Sequence, residues 1–92
     1  MKLKDKATIK TNFPEADFWI VRRGSESDVG KPTKKFSEYH IVIKVTSDDL
    51  LPDYLYYAMT YLYNQGYYKP LATGMSMVNI QVKDVKNIKM GE

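Results

Sequence analysis

Five cations between positions 22 and 35, Arg22, Arg23, Lys31, Lys34 and Lys35, are the side chains of this sequence best suited to a chemical task. Guanidinium groups bond in pairs to guanine edges or phosphates, and ammonium groups act as phosphate point charges. Gly24 and Gly30 interrupt the stretch GSESDVGKPTKKFS and would let backbone come close to a ligand. Glu26 and Asp28 stand in the same stretch and weaken its field. A purely electrostatic binder has no use for acids there; a sequence reader or a protein-binding loop does. These five residues are the candidate nucleic-acid contacts.

Other chemistries find little to work with. His40 is the only histidine and there is no cysteine, so a zinc site would need mostly carboxylates. The two glycines do not make a phosphate-binding loop, because Gly-Lys-Ser/Thr before a helix is missing and Gly30-Lys31 runs into Pro32. Glu15, Asp17 and Glu38, with Lys44, match no metal-dependent nuclease spacing. The expectation is a chain that is not an enzyme, with no catalytic residue, no metal and no cofactor.

A length of 92 residues gives one domain, 1–92, with a modest core. Fourteen basic and eleven acidic side chains leave a net charge of +3, compatible with nucleic acid and far from diagnostic of it. Lysines also crowd the start (Lys2, Lys4, Lys6, Lys10) and recur at Lys83, Lys86 and Lys89, while Thr46 to Gln65 holds three aspartates and no basic residue. The MKLKDKATIK start has polar residues where a signal peptide would be apolar, and no run approaches the length of a membrane span. A cytoplasmic protein with no membrane partner is expected.

The elements that must position the cations follow from periodicity. Asp17–Arg22, rich in aromatic and β-branched residues, reads as a strand, and Gly24–Ser37 as a long loop. YHIVIKV, residues 39–45, alternates and predicts a central strand. Leu51, Leu55, Ala58, Met59 and Leu62 form one apolar stripe of a helix over about 51–65, with Pro52 in its first turn and Gly66 as its stop. Met77–Ile80 and Lys86–Met90 read as two short extended segments around a turn or single helical turn at Val82–Val85, and Leu3–Thr11 as an edge strand. The predicted class is α+β: a small mixed or antiparallel sheet with one main amphipathic helix packed on it.

Seven of the eight tyrosines fall between Tyr54 and Tyr68. Helical spacing puts Tyr54, Tyr57 and Tyr61 at the border of the stripe and turns Tyr56 and Tyr63 towards solvent. Tyr56, Tyr63, Tyr67 and Tyr68 are therefore the candidate protein-interface residues, since exposed tyrosine offers much contact area at little entropic cost. The competing reading is that a small domain uses tyrosine to thicken its core.

LLPDYLYYAM, followed by LATGMSMVNIQVKDVKNIKM, resembles the target-recognition domain of type I restriction–modification specificity subunits. In that family a segment like Leu51–Leu55 opens a helix, and a small-residue turn like Ala72-Thr73-Gly74 leads to a short strand like Val78–Ile80. A polar step like Lys83-Asp84-Val85 then reverses into a final strand like Asn87–Met90. KLKDKATIKT is similar to the family's first strand, which glycine usually follows; Thr11-Asn12 departs from that. Family domains are longer, occur twice per chain and carry spacer helices that hold methyltransferase subunits, so the resemblance implies a truncated, single recognition-like domain. It implies a non-enzymatic DNA-binding module. The alternative is a small phage-type counter-defence (anti-restriction) inhibitor that binds a restriction or other defence complex through its tyrosine-rich surface. A homo-oligomer using the same aromatic patch is compatible with either.

Overall fold

The computed structural model describes residues 2–89. After a 3-10 turn at Leu3–Asp5 come β1 (Ala7–Thr11), β2 (Phe18–Ile20), β3 (Arg23–Gly24), β4 (Pro32–Thr33), β5 (Ile41–Val45), α1 (Pro52–Asn64), β6 (Thr73–Gly74), β7 (Val78–Asn79) and α2 (Val82–Lys86). Four strands form one sheet in the order β1-β5-β2-β4, and three form a second in the order β3-β7-β6, with every pairing antiparallel. The protein is α+β with one main helix, as expected, but its strands divide between two sheets.

β5 is central because it is apolar on both sides. Ile41 and Ile43 turn towards α1, Val42 turns away, and all three are fully buried. β1 lies at one edge, where the Leu3–Thr11 segment was placed by its sequence. Asn12 follows it with φ 55, a left-handed conformation that asparagine tolerates and that suits the position where glycine was expected. β2 is shorter than the predicted Asp17–Arg22 strand because Asp17 serves as its cap. Its backbone N–H donates to Ile43 O (3.0 Å) and its carboxylate accepts from Val45 N–H (2.7 Å).

The predicted 24–37 loop is partly sheet. Pro32–Thr33 pairs with Ile20 and Trp19, and Val29, Gly30 and Pro32 are buried. Proline lacks an N–H and is confined to edge strands, which is where β4 lies.

Leu55 and Met59 drive α1 into a core shared with Phe18, Ile20, Ile41, Ile43, Ile80, Val85 and Ile88. Leu51 does not join them. It is the N-cap residue, extended at φ −80 and ψ 130, and 71% exposed. The helix ends at Asn64 with Gln65 as its C-cap, and Gly66 adopts φ +78, with Gly66 N–H bonding Tyr63 O (3.0 Å) and Tyr67 N–H bonding Leu62 O (3.1 Å). That pair of bonds satisfies carbonyls the helix would otherwise leave open. Gly66→Ala, which forces a Cβ into that conformation, should cost about 1 kcal/mol and lower the thermal midpoint by about 4–8 °C. Circular dichroism melting measures it.

The closing segments do not pair with each other. Val78–Asn79 lies between β3 and β6, whereas Lys89 bridges to Lys2, and the residues from Val82 to Lys86 are helical. Lys83–Asp84 therefore belongs to α2, whose Asp84 carboxylate caps Gln81 N–H (2.8 Å), and is not a reverse turn between paired strands. Met90, in the predicted final strand, lies outside the described residues.

Candidate nucleic-acid interface

Strand register defines the face of the four-stranded sheet that points away from α1. Lys10 pairs with Val42, Val42 with Trp19, and Trp19 with Thr33, so one row crosses all four strands. Alternation puts Thr8 and Lys44, which pair with each other, on the same face. Lys31 continues the β4 ladder, its carbonyl accepting Val21 N–H at 3.0 Å, and so shares the side of Thr33. The Thr33 hydroxyl accepts the backbone N–H of Lys35 at 3.2 Å and holds that lysine at the same rim. Lys10, Lys31, Lys35 and Lys44 are all exposed. Three inter-strand steps from β1 to β4 make the face roughly 14 Å wide.

An aromatic cluster fills its centre. Trp19 is buried, donates its indole N–H to Phe13 O (3.1 Å) and meets the Phe36 ring edge-on at a centroid distance of 6.1 Å. Lys10 Nζ lies 3.9 Å from the Phe13 ring centroid. Phe36 remains 48% exposed, and Tyr39, in the same β4–β5 connection, 56%.

Charge on this face is little compensated. Among the described residues Asp17 is the one acid within its rows, and its carboxylate is bonded to Val45 N–H. Among the described residues one ion pair forms, Lys6 to Asp49 at 2.8 Å. The Lys6 ammonium, and then the Ser47 hydroxyl, hold the Asp49 carboxyl below its ordinary value. Burial lowers the His40 pKa, so near neutral pH its imidazole adds no charge here.

The five cations singled out by sequence are not brought together. Lys31 and Lys35 join the outer face. Lys34 turns to the helix side, its Nζ 4.7 Å from the centroid of Tyr56. Arg22 folds onto the second sheet, Nε donating to Ile80 O at 3.3 Å, and Arg23 is exposed on β3, which pairs with β7. Gly30 opens no room for a ligand, because it is buried against the Tyr68 ring. Lys10 and Lys44 were missed because they are distant from the loop in sequence. The alternation of β1 and β5 was the signal that could have found them.

The tyrosines expected at an interface are mostly drawn inward. Tyr68 is 3% exposed and Tyr56 meets Phe18 edge-on at 5.2 Å. Tyr67 packs edge-on to Tyr68 at 5.1 Å, so these three thicken the core and its margin, while the half-buried Tyr63 donates its hydroxyl to Ser27 O. Tyr54, Tyr57 and Tyr61, placed at the stripe's border by sequence, are instead the exposed ones. With Leu3 and Ile88 they line a groove of about 370 Å³.

Among the described residues no three histidine, cysteine, aspartate or glutamate side chains are grouped to hold a metal ion, and no helix is long and apolar enough to cross a membrane. No family model, curated protein or solved structure matches this chain.

Proposed function

We propose that the chain is a non-enzymatic DNA-binding module whose contact surface is the outer face of the four-stranded sheet. One observation carries this reading: the register gathers Lys10, Lys31, Lys35 and Lys44 around the Trp19–Phe36–Phe13 cluster, with Asp17, among the described residues, the one acid in the same rows and already bonded. Such a face supplies phosphate contacts without supplying a nucleophile or a general base. The likeness to restriction-type recognition domains is compatible with it, although the contacts differ from the Arg22–Lys35 set expected from sequence.

Binding of fluorescein-labelled 15-mer DNA, single- and double-stranded, at 50 and 200 mM salt tests the proposal. Four phosphate contacts should weaken affinity by about two orders of magnitude over that interval. Absence of binding to either form at 50 mM salt sinks it.

A second reading has its own observation. Leu51 and Tyr57 are each 71% exposed, and Tyr54 and Tyr61 lie beside them on a helix that carries no lysine or arginine. A stripe of this kind suits a protein partner, such as a restriction or other defence complex, and would make the chain an inhibitor. Recovery from a host lysate before and after nuclease treatment separates the two readings. A nuclease-resistant partner lost on Tyr57→Ser favours inhibition; nuclease-sensitive recovery favours DNA.

A further inference from the structure

We infer that the DNA taken by the outer sheet face is single-stranded, with a base stacking on Phe36 while the surrounding lysines hold phosphates; this rests on the DNA-binding reading above. Shape is the first ground. The major groove of a duplex, roughly 12 Å wide, admits a helix or a two-stranded ribbon. Among the described residues nothing of that kind projects from this face. α1 packs on the opposite side of the sheet and has no basic residue, and α2, with Lys83 and Lys86, is five residues long.

The exposed ring is the second ground. Phe36 touches Trp19 by an edge and still leaves 48% of its surface open, so the cluster fixes the ring without covering it. A duplex hides its bases and would set only sugar and phosphate against this ring. An unpaired strand presents a π-face to it.

Interleaving of charge is the third. Lys35 adjoins Phe36, Lys10 stands over Phe13, and Lys31 and Lys44 lie towards opposite ends of the same face. A ring that receives a base beside cations that track the backbone forms a stacking platform with an electrostatic rim.

Fluorescence anisotropy at 100 mM salt, with labelled dT15 and a blunt 15-base-pair duplex, tests this. The parent chain should bind dT15 about tenfold more tightly than the duplex. Phe36→Leu should weaken dT15 by about tenfold and leave the duplex unchanged. It keeps an apolar cover over Trp19, and its circular dichroism melt checks that the fold survives. Equal or tighter binding of the duplex, or a variant that alters both ligands alike or neither, overturns the single-strand inference while DNA binding stands. Failure of both DNA forms to bind at 50 mM salt removes the two together.

Discussion

Gly30→Ala should lower the thermal midpoint by about 15 °C or more, to the edge of unfolding at room temperature. Gly30 adopts φ +93, and a Cβ there would lie 2.1 Å from Tyr68 Cδ2 and 2.7 Å from Cε2. Tyr68 is 3% exposed and its ring packs edge-on to Tyr67, so the ring has a neighbour to displace if it moves. Left-handed strain costs about 1–2 kcal/mol, and overpacking a filled core another 1–3. A domain of this size has about 5–14 kcal/mol of total stability to lose. Gly24→Ala is the control: its Cβ would meet Asp28 Cβ at an ordinary 3.7 Å, and its φ is not positive. Circular dichroism melts of both variants decide the matter, and equal midpoints would show the Gly30–Tyr68 contact to be loose.

The same residue shows where sequence reading stops. Gly30 was legible as a break in a polar stretch, and nothing local says that an aromatic ring from beyond α1 closes over it. β4 escaped for a related reason: two residues, one of them proline, carry no alternation to detect, and their pairing partners are twelve residues away for Pro32 (Ile20) and fourteen for Thr33 (Trp19). Elements that state their own period were legible. The stretch 39–45 alternates over enough residues to show a strand, and the α1 stripe together with Pro52 and Gly66 gives the helix and both its ends. The phase of that helix was not legible, because Leu51 was counted in the stripe. As an extended N-cap it lies off the helical repeat, and leaving it out turns the buried side towards Tyr56 and Tyr63 and exposes Tyr54, Tyr57 and Tyr61. Lysine placement likewise depends on cross-strand register, which pairs Lys10 with Val42 across more than thirty residues of chain.

The largest expected effect on binding comes from removing the outer-face lysines together. With Lys10, Lys31, Lys35 and Lys44 all replaced by alanine, DNA affinity at 0.1 M salt should fall by about three orders of magnitude, and the slope of log affinity against log salt should approach zero. Each single Lys→Ala change should flatten that slope by about one unit. Lys34→Ala and Arg22→Ala should leave it in place, since Lys34 lies over Tyr56 on the helix side and Arg22 bonds Ile80 O. The substituted lysines are exposed and unpaired with carboxylates among the described residues, so the fold should persist in the lysine variants. Titrations at four salt concentrations read the slope. A steep slope surviving the quadruple change would move the contact surface off this sheet face, with Arg23 and the α2 lysines next to be examined.

The position of the single indole gives the molecule an intrinsic optical probe. Trp19 has its N–H tied to the Phe13 carbonyl and its ring flanked by Phe36, directly beneath the surface where a polymer would settle. Its emission colour and intensity report the dielectric and the quenchers of that one spot, undiluted by any other tryptophan in the chain. Occupancy can thus be followed on the unlabelled protein, and a ligand settling instead along the Tyr54–Tyr61 side of α1 would leave the signal silent.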